Sequence, residues 1–451
     1  MPIRPLNPWL GGTWSPARFV ATSFLAAIAT GTFLLLLPWS HSHGVSVSIL
    51  EALFTSTSAV CVTGLAVLDT GSQFSRFGQV VILSLFQIGG LGLLTFGTFL
   101  TLATGGRVGY SERLRIQQQV SAFDTGGIID LLKSIVALVA IVEISGAILL
   151  YFRFYQTEGV GEGVFYSLFH SVSAFNNAGF SLFPDSLVRF VDDPFVTLPI
   201  LGLIVIGGLG FTVVADVLKT ERFKFRNWSL HTKMALSATL FLIMAGTLAV
   251  LILEFTNPAT LGPLDLPDKV LASLFQGITP RTAGFNTLDY SQMQTSTLLF
   301  TSLLMFIGGN PGSTAGGIKT LTLFVLAIGL WSVMRQRRDH TVFERRIASD
   351  TILRAGVVAF GAVMLVGGAL TLLSISDAKF GLMPLLVETV SAFGTVGLSM
   401  GITPELSDVG RVVIIFLMYL GRIGLLTFAL SFVAEHGARE IRYPAEQVVI
   451  G

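Results

Sequence analysis

Apolar and polar positions alternate along this chain on a scale much longer than a helical turn. Apolar runs long enough to cross about 30 Å of hydrocarbon, at roughly 1.5 Å per residue, recur near 19–39, 80–103, 130–152, 195–218, 233–253, 297–334, 352–375 and 410–434. The pattern predicts an all-α integral membrane protein with eight transmembrane helices. Between the two members of each pair lies a shorter apolar stretch, too short to span, that runs into a glycine-containing turn. These four stretches read as re-entrant half-helices.

The same pattern repeats internally. "ALFTSTSAVCVTGLAVLDTG" (52–71), "SLFHSVSAFNNAGFSLFPDS" (167–186), "SLFQGITPRTAGFNTLDYSQ" (273–292) and "LLVETVSAFGTVGLSMGITP" (385–404) align on Gly64, Gly179, Gly284 and Gly397, spaced by 115, 105 and 113 residues. A second set, Gly89, Gly207, Gly308 and Gly421, follows these anchors by 25, 28, 24 and 24 residues, which fixes the register. The chain therefore divides into four tandem helix–pore-loop–helix repeats over 1–105, 106–220, 221–340 and 341–451, the last with a C-terminal tail.

Composition agrees and narrows the function. Of 451 residues 52% are hydrophobic and 12% charged, about half the charged share of a soluble domain. A net charge of +1 gives no reason to expect a nucleic-acid partner. Cys61 is the only cysteine, so an internal disulfide is excluded, and no Cys and His cluster points to zinc or iron. The apolar run after Arg4 and Arg18 is too long for a signal-peptide core and reads as the first span. Basic residues mark the loops between repeats: Arg107, Arg113 and Arg115; Lys219, Arg222, Lys224, Arg226 and Lys233; Arg335, Arg337, Arg338, Arg345 and Arg346. The positive-inside rule makes these loops and the N-terminus cytoplasmic, so the half-helices enter from outside.

Four turns that break helix within a membrane persist only where their freed backbone groups line water or are buried in protein. A central pore meets that demand. Glycine at each anchor lets backbone carbonyls face the axis, and the half-helices aim the negative ends of their dipoles at the same place, favouring a cation.

The turn phrases "TGLAVLDTG" (63–71), "SAFNNAGFSL" (173–182), "TPRTAGFN" (279–286) and "SAFGTVGL" (391–398) resemble the Trk, Ktr and HKT superfamily of potassium transport proteins, and within it the Ktr-type membrane subunit. The resemblance covers nearly the full chain. It implies a potassium-selective filter, with potassium held at Val62, Thr63 and Gly64; Asn177, Ala178 and Gly179; Thr282, Ala283 and Gly284; and Thr395, Val396 and Gly397. Glycine in all four filter positions implies potassium rather than sodium preference. The resemblance allows sodium as an activator, a requirement the sequence leaves open, and implies no other cofactor in this chain. The resemblance further implies a bacterial plasma-membrane homodimer seated on a cytosolic, KtrA-like ring of nucleotide-binding regulatory subunits. The basic loops are then the docking surface, and the tail 441–451 reaches the dimer interface.

The third repeat departs from its siblings at "GGNPGSTAGGIKT" (308–320), where Pro311 and five glycines rule out a smooth helix. An unwound intramembrane loop is expected there. The resemblance makes residues 308–319 a gate, formed by Gly308, Gly309, Asn310, Pro311, Gly312, Ser313, Thr314, Ala315, Gly316, Gly317 and Lys319 together with Arg422. Arg422 replaces the glycine found at positions 90, 208 and 309. At that depth it must face a wet cavity or a partner, such as carbonyls or hydroxyls of the loop. Lys319 either adds to this barrier or snorkels to the cytoplasmic interface.

Glu143 reads as a structural charge between helices. Asn176, Asn177 and Arg281 adjoin turns that they are placed to brace, and Glu388 either does the same or draws cations to the mouth. The rival reading, a secondary carrier with alternating access, usually goes with two inverted repeats rather than four parallel ones. An intramembrane hydrolase lacks its motifs, and His170, the one histidine in a motif region, reads as a mouth or packing residue.

Overall fold

A computed structural model describes residues 16–92, 128–219, 225–337 and 339–432. Helix dominates, in four successive groups. The first holds α1 (Pro16–Leu35), α2 (Ile49–Val60) and α3 (Arg76–Leu91). The second holds α4 (Ile128–Glu158), α5 (Val160–Phe175), α6 (Pro194–Leu209) and α7 (Phe211–Lys219). The third holds α8 (Leu230–Glu254), α9 (Leu266–Ile278), α10 (Thr295–Phe306) and α11 (Thr320–Met334). The fourth holds α12 (Ser349–Ser376), α13 (Leu382–Gly394), α14 (Asp408–Ile423) and α15 (Leu425–Phe432). Side-chain caps start many of them: Ser48 forms a reciprocal capping box with Glu51, and Ser75, Asp193, Ser229 and Ser407 accept from the first turns of α3, α6, α8 and α14.

The opening helix of each group is the long one. Apolar stretches of 19, 26, 25 and 28 residues in α1, α4, α8 and α12 can each cross a membrane. These helices turn large apolar side chains outward, among them Ile141, Phe152, Leu240, Phe241 and Phe360, as a lipid-facing surface does. The short helices α2, α5, α9 and α13 sit inside, and their C-terminal halves are almost fully buried.

The later helices differ from the expected uninterrupted crossings. Among the described residues four helices meet the length and hydropathy of a span, or five if the bent pair α6 and α7 counts as one. Helix ends at glycines contribute to this. α3, α6 and α14 stop at Gly92 (φ 85°), Gly210 (φ 94°) and Gly424 (φ 88°), each three residues after the second landmark glycine. Glycine takes positive φ with no Cβ penalty, so the chain turns there, and α6 and α7 diverge by 96°. The interruption expected only in the third group is thus present in the second and fourth groups as well.

One feature is not helical. β1 (His340–Val342) and β2 (Arg345–Ile347) form an antiparallel hairpin closed by Phe343 and Glu344, both with positive φ, as a two-residue turn of the favoured hand requires. Phe343 packs edge-on to Phe225 with ring centroids 5.7 Å apart, so the loops preceding α8 and α12 meet. The N-terminal residues 1–15, the basic segment 104–118, residues 220–224, Arg338 and the tail 441–451 lie outside the described residues.

Candidate functional site

The four short helices deliver turns of one geometry. In each, the first and third residues of the triplet have positive φ: Val62 and Gly64, Asn177 and Gly179, Thr282 and Gly284, Thr395 and Gly397. The middle residues Thr63, Ala178, Ala283 and Val396 are fully buried. Thr63, Ala178 and Val396 donate their backbone N–H to the carbonyls of Ser58, Ser173 and Ser391, each at 2.8 Å, whereas Ala283 uses Thr279 at 2.9 Å. The serine hydroxyls finish the turns. Those of Ser58 and Ser391 accept from Gly64 and Gly397 N–H at 3.1 Å, and that of Ser173 donates to the Phe180 carbonyl at 2.8 Å.

These turns close into a ring. A methyl group on Gly64 would lie 2.5 Å from the Ala178 carbonyl oxygen, one on Gly179 3.1 Å from that of Ala283, and one on Gly284 2.5 Å from that of Val396; one on Gly397 would meet the Thr63 carbonyl. Each glycine faces the carbonyl just before the next, in chain order and back to the start. No other residue fits so close a backbone approach at these φ values. A cavity of about 250 Å³ opens onto all four glycines.

The second landmark glycines seat this ring on the helices around it. A side chain on Gly89, Gly207 or Gly421 would collide with the carbonyl of Val60, Phe175 or Phe393, in each case four residues before the ring glycine. In the third group Gly308 instead faces the Gly316 carbonyl, within its own loop.

That loop, 308–319, closes at its base and spreads outward. Ile307 and Ile318 form a parallel bridge, Gly308 N–H donates to Ile318 at 2.8 Å, and Thr320 N–H donates to Gly309 at 2.9 Å. Asn310 and Thr314 donate to the carbonyls of Gly208 (3.1 Å) and Gly207 (3.3 Å), and Phe211 donates to Gly312 at 2.9 Å. On the other flank Gly317 donates to Gly421 at 3.2 Å. Gly316 abuts the Thr395 side chain and Gly317 abuts Gly394, so the loop leans directly on the fourth turn.

Arg422 ties the loop to the first group. One terminal nitrogen donates to the Thr314 carbonyl and the other to those of Gly89 and Gly90. The last two belong to the final turn of α3, where carbonyls lack helical partners and carry the negative end of the dipole. Lys319 turns inward instead of away: its Nζ donates to the Ala315 carbonyl at 2.5 Å, next to the one Arg422 holds.

The remaining polar candidates separate. Glu143 accepts from Gln87 at 3.2 Å and Asn176 at 3.1 Å, a cluster joining α3, α4 and the end of α5 in which Glu143 and Asn176 are buried and Gln87 half-buried. Asn177 does not brace its own turn; its amide donates to Thr314 Oγ1 of the loop at 3.1 Å. Arg281 likewise leaves its turn for the hydroxyls of Thr239 and Thr320. Glu388 accepts from Ser399 (2.7 Å) and Thr403 (2.5 Å), holding the chain that follows the fourth turn. His170 is buried, bonded to the Tyr166 carbonyl and Ser181 Oγ and stacked on Phe183. Among the described residues no group of histidine, cysteine and carboxylate side chains is arranged to hold a metal ion.

Two recurring features escaped the sequence reading although the repeat alignment contains both: the serine six residues before the ring glycine in three copies, and the helix-breaking glycine three residues after the second landmark. Gln87 gave no such signal, since its role depends on helices brought together from different groups.

Residues 16–441 match the TrkH family, described as cation transport protein. The chain is 45% identical over 439 residues to the Ktr system potassium uptake protein B of Bacillus subtilis (strain 168), spanning 97% of both. It is 37% identical over 442 residues to the potassium/sodium uptake protein NtpJ of Enterococcus hirae, again spanning 97% of both. The crystal structure of the potassium transporter TrkH from Vibrio parahaemolyticus matches with a TM-score of 0.74 over 95% of this chain and 87% of that one, at 18% identity, a likeness of fold. With a family match over nearly its whole length and full-length relatives at this identity, the chain belongs to the TrkH family of cation transport proteins.

Proposed function

We propose that this chain is the pore-forming subunit of a potassium uptake system, passing the ion through the ring of four turns in channel-like fashion. The closed cycle of glycines and carbonyls carries the reading. A monovalent cation crossing a bilayer must exchange its hydration shell for other oxygen atoms, and a ring of backbone carbonyls provides them without a fixed charge that would trap it. The C-terminal ends of α2, α5, α9 and α13 reinforce the preference for a cation.

In this proposal the filter is Val62–Gly64, Asn177–Gly179, Thr282–Gly284 and Thr395–Gly397, and potassium occupies it. The 308–319 loop and Arg422 form the gate beneath. Four helix–pore-loop–helix repeats surround one pore, each second helix counting as one of eight crossings whether or not it is broken. The basic loops face the cytoplasm of a bacterial cell, and the chain works as a homodimer with a cytosolic nucleotide-binding ring. Relatives named for potassium support the ion, NtpJ is named for uptake of potassium and sodium, and sodium acts in this proposal as an activator.

The test is rubidium uptake into liposomes holding the full-length chain, with potassium and sodium as competitors and with sodium varied as activator. Potassium is expected to displace rubidium at concentrations where sodium does not. Equal displacement by sodium, or an absence of flux from correctly folded protein, would refute the proposal.

A further inference from the structure

Two guanidinium groups flank the 308–319 loop, and only Arg422 enters the function proposed above. Arg281 lies three residues before Gly284 and is 8% exposed. The other turns carry Cys61, Asn176 and Gly394 at that position, none of them a cation. Arg281 Nη2 donates to Thr239 of α8 at 3.5 Å and to Thr320, the first residue of α11, at 3.4 Å.

Those two threonines hold the two roots of the loop. Thr320 Oγ1 donates to the Gly308 carbonyl at 2.7 Å, and Thr239 Oγ1 accepts from Asn310 Nδ2 at 3.0 Å. One side chain therefore reaches both limbs at their base through one hydroxyl each, while Arg422 grips the tip at Thr314. The third turn does not need Arg281 for its own bonds: Thr279 Oγ1 donates to the Phe285 carbonyl, and Ala283 N–H donates to Thr279. Arg281 Nε has no hydrogen-bond partner among the described residues. A cation so placed is costly to bury and is offset by the hydroxyl dipoles and the nearby C-terminal end of α9.

We infer that Arg281 is a positioning residue for ion passage: it pins the roots of the 308–319 loop to the third turn, and the loop opens only when that pin is released. The inference rests on the reading of this loop as the gate. It differs from a filter role, because its partners lie on the loop's side of the turn and none belongs to the ring.

Full-length Arg281→Gln, Arg281→Lys, Thr239→Val and Thr320→Val, beside a deletion of residues 312–315, are compared in liposomes as rubidium flux per monodisperse protein and as the rubidium-to-sodium ratio. Arg281→Gln is expected to raise resting flux about five-fold or more, equivalent to about 1 kcal/mol in the gating equilibrium, with the ion ratio unchanged. Lysine restores part of the wild-type behaviour, since it keeps the charge but not the planar fork. The threonine variants raise flux too, and adding either to Arg281→Gln gains nothing further. Unchanged flux in Arg281→Gln beside increased flux in the deletion overturns the pin and leaves the gate standing. Unchanged flux in the deletion as well overturns both. A changed ion ratio with resting flux intact makes Arg281 a brace of the ring and also overturns the pin. If Arg281→Gln is not monodisperse, the threonine variants decide, and wild-type flux in both overturns it.

Discussion

Alanine at Gly64 tests the ring at one defined point. Gly64 has φ +89°, and a methyl group there would sit 2.5 Å from the Ala178 carbonyl oxygen and 2.9 Å from Gly179 Cα. Ordinary contact begins near 3.4 Å, so the first two turns must part by about 0.9 Å, with backbone on both sides and no flexible side chain to yield. The substitution also forces an L-residue into a left-handed region at a cost of about 1–2 kcal/mol. Gly44 separates the two effects: it has φ +83° with nothing within 4 Å of a methyl group. Gly44→Ala should lower thermal stability by that backbone cost alone and leave ion selection intact. Gly64→Ala should in addition weaken discrimination of potassium from sodium by ten-fold or more, about 1.4 kcal/mol, read as the sodium concentration that halves rubidium uptake. Gly64→Ser should act in the same direction. A folded Gly64→Ala protein that excludes sodium as the wild type does would refute the carbonyl ring as the selecting element.

Arg422→Gln removes a charged hydrogen bond to the loop worth about 1.5–3 kcal/mol, so resting rubidium flux should rise at least ten-fold; flux at the wild-type level would show that Arg422 does not hold the loop. Glu143→Leu removes the acceptor shared by the half-buried Gln87 amide and the buried Asn176 amide, which keeps the Val172 carbonyl, and thermal unfolding in detergent should reveal a loss of about 1–3 kcal/mol, with Glu143→Gln milder. Asp377, just past α12, accepts from Ser407 N–H at 2.6 Å and from the hydroxyls of Ser407 and Ser376. Burial raises its pKa, but those bonds outweigh it and hold the carboxyl below the ordinary carboxylate value. A depressed folded pKa stabilises above the unfolded pKa and loses its effect as pH falls through the folded one. Asp377→Asn should therefore melt lower than wild type at pH 7, with the gap closing as the medium is acidified below about pH 4; a gap independent of pH would contradict this.

The register of the four turns was legible because backbone geometry imposes it on the sequence. A positive φ at Gly64, Gly179, Gly284 and Gly397, and a carbonyl pressed against Gly89, Gly207 and Gly421, admit almost no other residue, so the glycines survive as a visible register. The loop at 308–319 was legible for the converse reason, since its composition forbids a helix. Partnerships across groups were not. That Asn177 reaches Thr314, that Arg281 reaches Thr239 and Thr320, and that Gln87 meets Glu143 depend on helices far apart in the chain arriving side by side. The hairpin at His340–Ile347 was hidden by its charges, which read as a polar loop until Phe343 was seen to have an aromatic partner in Phe225.

The contact of Gly316 with Thr395 and of Gly317 with Gly394 has a thermodynamic consequence. Two elements that share a packed surface cannot change independently, and their coupling is reciprocal. If moving the loop alters the affinity of the fourth turn for one cation over another, then exchanging that cation must shift the loop's equilibrium by the same free energy. Ion identity and loop position are then two readings of a single coupling constant, measurable from either end.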